Sequence, residues 1–262
     1  MQASLNGSST TAFLDTGAAA NFMSLAYARQ HGYAIKRSSN IFTIIGNGSK
    51  IKVLGTTTLP FSFESDDVTH SLIFNVLDRC SHDVVLGSRF LKLTETFTKF
   101  AHRIRERVRK AFTYRVCLAD HSQYVTGRFG NVPVDAVPDS GADVPVVSAR
   151  YAKEQGFIVN TAEENRILFE FADGSTTRAD GVIENIEWQY GTHGMAYLTK
   201  WYVLPGLPVD VVLGYDFLCQ TSAWVLHADS FWDAEDGKAV FGYIKIANCE
   251  CSLLLKVSKN VS

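Results

Sequence analysis

No apolar stretch in the chain approaches the roughly 20 residues needed to cross a bilayer. The opening residues, MQASLNGSSTTAF, carry neither the basic start nor the apolar centre of a secretory signal. Charge of one sign is missing too. Lys+Arg 25 against Asp+Glu 27 leaves a net charge of −2, so no basic field points to nucleic acid. Cysteine is scarce: Cys80, Cys117, Cys219, Cys249 and Cys251 cannot all pair within one chain. Their spacing fits neither a disulfide framework nor a zinc site, and "CEC" at the end lacks the second pair that would complete one. The seven histidines never fall at H-x-x-x-H. These absences predict no metal or cofactor, no membrane span and no nucleic-acid partner. Reduced cysteines predict an intracellular, cytoplasmic setting.

What is present is an ordinary globular composition, 46% hydrophobic and 20% charged over 262 residues, enough for one large domain or two small ones. Residues 12–24 read "AFLDTGAAANFMS": an apolar run ending in aspartate, a hydroxyl residue and glycine. A D-[ST]-G triplet arises by chance in a chain of this length about one time in ten, and Asp and Gly are what any turn favours. If Asp15 has a chemical role, the chain must supply it with a partner.

The chain supplies one by repeating itself. "DTGAAANFMSLAYARQHG" (15–32) and "DSGADVPVVSARYAKEQG" (139–156) are identical at seven of eighteen positions, at an offset of 124. "GNGSKIKVLG" (46–55) aligns with "ADGSTTRADG" (172–181) at 126, and "DVVLGSRFL" (83–91) with "DVVLGYDFL" (210–218) at 127, seven of nine residues being shared. Three blocks in the same order, their offsets drifting by only a few residues, predict a tandem duplication in which Asp15 is matched by Asp139. The period is far longer than that of a solenoid.

Each copy reads as short strands and Gly-rich turns, with one short helix ending at Gly32 or Gly156 and a helical turn after each "VVLG". In the first copy the strands are "TTAFL", "IFTII", "KIKVLG", "TTLPFSF", "HSLIFNVL" and "DVVL". In the second they are "VPVDAV", "RILFEF", "GVIENIEW", "AYLTKWYVL" and "DVVL". Between the copies lies "TKFAHRIRERVRKAF" (98–112), with six basic residues and Phe100, Ile104, Val108 and Phe112 four apart. That spacing predicts a basic amphipathic helix, either a solvated connector or a membrane-surface or partner-binding element. The expected division is residues 1–97, a linker at 98–112, and residues 113–262.

Strand, D-[ST]-G-A, short helix, Gly-rich hairpin, then two apolar residues and Gly: this ordered set, found twice, resembles the retropepsins, the aspartic proteases of retroviruses and retrotransposons. The resemblance covers about 90 residues of each copy. It implies an all-β protein of two closed β-barrel lobes related by a pseudo-twofold, a single-chain pseudo-dimer acting as a monomer. It further implies an aspartic endopeptidase in which Asp15 and Asp139 share a proton and activate water, with polypeptide as substrate. The hydroxyls of Thr16 and Ser140 would hydrogen-bond across the twofold, and Gly17 and Gly141 would bring backbone amides to the carboxyls. Ala18 and Ala142 would keep the cleft floor narrow, over braces formed by Val85-Leu86-Gly87 and Val212-Leu213-Gly214. "IIGNGSKI", with Gly46, Asn47 and Gly48, and "FADGSTT", with Asp173 and Gly174, would be flap hairpins. Large apolar residues at the cut and a mildly acidic optimum are expected.

Three departures matter. Pro138 stands where the first copy has Leu14, which predicts a small shift of Asp139 from its mate. Asp143 fits the position at which many retropepsins bind substrate backbone, but its counterpart is Ala19, so an asymmetric cleft is expected. The sheet built by retropepsin termini would fall here to the linker flank and the tail "FGYIKIANCECSLLLKVS". Two alternatives remain at this stage: a catalytically silent module binding peptides through the same groove, and an enzyme whose copies pair between chains. The start of the chain so close to the first motif also suggests excision from a longer polyprotein.

Overall fold

The computed structural model describes residues 1–38, 41–46, 48–64, 66–101, 104, 113–117, 121–234 and 238–239. Asn47, most of the expected linker helix, Cys249, Cys251 and the expected tail strand lie outside the described residues. Among the described residues no helix is long and apolar enough to cross a membrane.

The chain folds into two all-β lobes with few, short helices. The first contains β1 (Gln2–Leu5), β2 (Ser8–Thr11), β3 (Phe13–Asp15), β4 (Asn21–Ser24), α1 (Leu25–Gln30), β5 (Lys36–Arg37), β6 (Phe42–Ile44), β7 (Lys50–Phe63), β8 (His70–Leu77), β9 (Val84–Gly87) and α2 (Ser88–Leu93). The main path through its sheet is β2-β1-β7-β8-β4-β9-β3. The second contains β10 (Thr113–Val116), β11 (Gln123–Phe129), β12 (Val132–Asp139), β13 (Val146–Ser148), α3 (Ala149–Glu154), β14 (Leu168–Phe171), β15 (Thr176–Arg178), β16 (Gly181–Tyr190), β17 (Ala196–Leu204), β18 (Val211–Gly214), α4 (Tyr215–Gln220), α5 (Ala223–Leu226), β19 (Phe231–Asp233) and β20 (Lys238–Ala239). Here β12-β18-β13-β17-β16-β11 form a path that β11 closes by pairing back with β12. The ring removes most of the exposed sheet edge.

Matching residues make matching local structure. Ser24 and Ser148 cap α1 and α3 from the same extended conformation (φ −69°, ψ 141°), each hydroxyl accepting from a backbone N–H three residues on, at 3.1 and 3.0 Å. The amides of Gly32 and Gly156 then close each helix on Arg29 and Lys153 carbonyls, both at 3.1 Å. In each lobe the helix covers one end of an apolar core. Phe61, Phe63 and Phe90 meet face and edge in the first lobe, and Phe129, Trp188, Trp201 and Phe217 fill the second. Well-placed aromatic pairs of this kind add about 0.5–1.5 kcal/mol beyond their burial.

Two expectations change in detail. "KIKVLG" and "TTLPFSF" form one strand, β7, whose register with β8 shifts between Val53 and Gly55. The strands β1, β10, β11 and β19 carry no strong alternation in the sequence; β1 and β11 open hairpins with β2 and β12, whereas β10 and β19 are defined by partners distant along the chain.

The aspartates end their strands in equivalent places. β3 runs parallel to β9 with Asp15 opposite Gly87, and β12 runs parallel to β18 with Asp139 opposite Gly214. A side chain on Gly87 would press on the carbonyl oxygens of Ala20 and Ala18, the latter at 2.7 Å; one on Gly214 would lie 2.7 Å from the Val144 nitrogen and press on its carbonyl. Because these neighbours are backbone, they cannot swing aside. Gly87→Ala and Gly214→Ala are each therefore expected to destabilise the protein by roughly 2–3 kcal/mol, as measured by urea denaturation. An unchanged midpoint would mean that the aspartate loops can retreat from their braces.

Candidate active site

The two D-[ST]-G loops face each other and are joined by reciprocal hydrogen bonds. The Thr16 hydroxyl donates to the Pro138 carbonyl at 2.9 Å and accepts from the Ser140 N–H at 2.8 Å. The Ser140 hydroxyl donates to the Leu14 carbonyl at 3.1 Å and accepts from the Thr16 N–H at 3.0 Å. The shift expected from Pro138 is absent from these bonds. Proline's missing N–H is immaterial here, because the cross-loop contact uses its carbonyl.

The glycines follow the same exchange. A side chain on Gly17 would strike the carboxyl of Asp139, and one on Gly141 would lie 2.9 Å from Asp15 Oδ1. Each glycine thus leaves room for the carboxyl of the opposite loop. Ala18 and Ala142 are fully buried behind them, and their carbonyls accept from Ser88 and Tyr215 N–H, both at 2.7 Å.

Asp15 and Asp139 are 2% and 0% exposed. Burial, then the neighbouring charge of Asp139 and a hydrogen bond with it, hold Asp15 well above the usual carboxylate range. Burial also raises Asp139. It is opposed by the hydrogen bond with Asp15 and by the amides of Gly141, Ala142 and Cys117, the first donating to Oδ1 at 2.7 Å. Asp15 has only two such amides, those of Gly17 and Ala18. The pair therefore retains a proton where isolated carboxyls would both be ionised, and the extra amide favours placing the charge on Asp139.

The two Gly-containing hairpins have the same turn. Gly48 N–H bonds the Ile45 carbonyl at 2.8 Å and Gly174 N–H the Phe171 carbonyl at 2.9 Å, with φ of 77° and 80°. Asp173 holds its turn by accepting from the Ser175 N–H at 2.9 Å and the Ser175 hydroxyl at 2.6 Å. Both hairpins lie near the opposite lobe. Gly46 packs on Val116 and Phe171, Ile45 joins the second lobe's apolar cluster, and the Ala172 carbonyl accepts from Ser81 N–H at 2.7 Å. Beneath them a cavity of only about 20 Å³ touches Asp15, bounded by Thr43, Cys80, Cys117 and Ala172 among others. A larger cavity, about 730 Å³, is lined by Leu14, Ser140, Arg115, Asp143 and Asp216 and reaches neither aspartate.

Asp143, the residue without a counterpart in the first lobe, is engaged. Its N–H and carboxylate bond the backbone of Arg115 at 3.0 and 2.9 Å, and the carboxylate pairs with the guanidinium at 3.2 Å. Arg115 and Cys117 are the residues at this site that no motif singles out. The only signal was their position at the head of the second copy.

Residues 1–93, the first lobe with its DTG loop, match the family of gag-polyprotein putative aspartyl proteases. Among solved structures, the chain is similar to the retroviral protease-like domain of Ddi1 from Leishmania major, with 21% identity and a TM-score of 0.32, over 43% of this chain and 89% of that one. No curated protein matches the chain.

The raised carboxyls have a consequence for stability. The folded chain keeps protons that the unfolded chain has released, so their contribution is complete below the ordinary carboxylate pKa and is lost as pH rises through the folded values. Asp15→Asn replaces a carboxyl that must take up a proton on folding at pH 7 with a group neutral at every pH, and should raise Tm there by a few degrees, on the order of what 1 kcal/mol produces in a chain of this size. The gain should vanish below about pH 3, where both carboxyls are protonated in either state. Equal Tm values for wild type and variant at pH 7 would show that the pair bears no raised pKa.

Proposed function

We propose that the protein is an aspartic endopeptidase acting on extended polypeptide, with Asp15 and Asp139 as one catalytic dyad. The observation that carries this reading is the burial of two carboxyls side by side, each beneath the glycine of the opposite loop. Two such groups cannot both ionise easily, and aspartic proteases are the standing example of a shared proton. In the proposed reaction Asp139, the better-solvated anion by its three amides, takes a proton from a water held between the carboxyls. The water oxygen attacks the peptide carbonyl carbon while protonated Asp15 donates to the carbonyl oxygen. Collapse of the tetrahedral species breaks the C–N bond, the amine leaving with a proton from the dyad.

The surrounding residues take the roles their positions favour. Thr16, Ser140, Gly17 and Gly141 fix the loops and Ala18 and Ala142 the floor. Asp143 would anchor substrate backbone, and the hairpins containing Gly46, Asn47, Gly48, Asp173 and Gly174 would close over it. Substrate would bind as a strand, held through its backbone with side chains in apolar pockets. The repeated blocks and the common order of strands support an internal duplication. Within it, residues 1–97 and 113–262 form the two lobes and residues 98–112 join them, giving a monomer that holds a complete site.

The test is cleavage of an unstructured protein between pH 3 and 8. Wild type should cut most rapidly at mildly acidic pH and lose activity as pH rises through the raised value of the dyad, because the general acid is then deprotonated. Asp15→Asn and Asp139→Asn should each lower kcat at least about a hundredfold. Three folded proteins that leave the substrate intact would favour a peptide-binding module instead.

A further inference from the structure

The space above the aspartates is small because the chain itself fills it. β10 belongs to neither large sheet. It runs parallel to β14, the first arm of the second hairpin, with Thr113 opposite Leu168, Tyr114 opposite Phe169, Arg115 opposite Glu170 and Val116 opposite Phe171. On the other side, Arg115 is held by Asp143 through two backbone bonds and the ion pair described above. Its guanidinium also meets His82 Nε2 at 3.1 Å and lies 5.0 Å from the centre of the Phe13 ring, both in the first lobe. Val116 is fully buried against the hairpins, and Cys117 follows it inward. A side chain on Gly141 would lie 2.8 Å from Cys117 Cβ, and the Cys117 amide is one of the three that favour ionised Asp139. The segment thus runs extended between a hairpin and the floor, bonded on both edges, and ends at the dyad.

We propose that residues 113–117 are an intramolecular occupant of the cleft, taking the path of a bound peptide and keeping the protein latent until they are displaced. Three features favour an occupant over a fixed structural strand. Its backbone bonds use the free edge of a hairpin and Asp143, the carboxylate proposed to anchor substrate backbone. Its side chains supply what a peptide would need there: a cation for Asp143 and an apolar residue for the hairpin pocket. It also precedes β11, the first strand of the second lobe's main sheet, so withdrawing it breaks no strand of either main sheet. Occupancy stands on this geometry alone; latency presupposes the peptidase reading.

A tethered occupant competes at an effective concentration in the millimolar range, so external peptide at micromolar concentration would rarely displace it. Arg115→Pro removes the N–H that donates to Asp143 and the guanidinium together, and the extended backbone of its neighbour Tyr114 tolerates proline at the next position. Arg115→Ala, a milder change, removes the guanidinium with its ion pair to Asp143 and its contacts with His82 and Phe13, and keeps the backbone bonds.

The experiment reads two quantities on the full chain: alkylation of the Cys117 thiol, measured by peptide mass spectrometry against the same thiol in urea, and the kinetics of peptide cleavage. In wild type, Cys117 should react at least a hundredfold more slowly than in the unfolded chain. Arg115→Pro should speed it at least tenfold and lower KM for peptide at least tenfold, with kcat changed by less than threefold. Arg115→Ala should move both in the same direction by less, and it decides the matter if the proline variant fails to fold. A wild-type Cys117 that reacts as in urea would overturn occupancy. Faster alkylation without any fall in KM, in variants that cut, would overturn latency. If the variants expose Cys117 while no form of the protein cuts peptide, the peptidase reading fails and latency with it, while occupancy stands.

Discussion

The reciprocal bonds between Thr16 and Ser140 are the constraint on which the rest of the molecule depends. Each hydroxyl is donor to a carbonyl and acceptor from an N–H of the facing loop, so four hydrogen bonds satisfy six polar groups where water has little access. A hydrogen bond of this kind nets about 1 kcal/mol, but an unpaired buried partner costs more. The two loops are therefore held in one mutual position. That position is what allows two carboxyls to be buried beside each other, an arrangement that charge repulsion and desolvation would otherwise oppose. The close contact of Gly87 with the Ala18–Ala20 backbone, and of Gly214 with Val144, braces the loops from beneath.

The site was legible in the sequence where local chemistry dictates local geometry. Asp15 and Asp139, the serine caps at Ser24 and Ser148, the glycine stops and the braces at Gly87 and Gly214 each need a particular residue type at a particular place. Repetition made those places visible. Pro138 was misleading because a residue's usual effect on a β ladder says nothing about which of its backbone groups a neighbour uses. What the sequence hid was non-local. β10 is four residues long, and its partner β14 begins 55 residues further on, from Thr113 to Leu168. Nothing in "TYRV" announces that pairing, nor that Arg115 would meet Asp143. The periodicity of a strand records which of its faces is buried, not which edge it joins.

The cleft is unequal at its two ends for a reason written in a single pair of positions. Asp143 grips Arg115 by backbone and side chain, whereas Ala19 at the corresponding place has no such group to offer. The dyad inherits this inequality, since the amide of Cys117 reaches Asp139 and has no counterpart at Asp15. Two loops alike in sequence thus hold two carboxyls in different electrostatic surroundings, and burial amplifies the difference.

Carrying both aspartate loops on one polypeptide has a further effect. Two separate subunits would meet only as often as their abundance allowed, and dilution would pull such a site apart. Here the facing loop is always present at the local concentration set by the connection between them. Scarcity of the protein does not dismantle the pair, and each half is free to change without forcing the same change on the other.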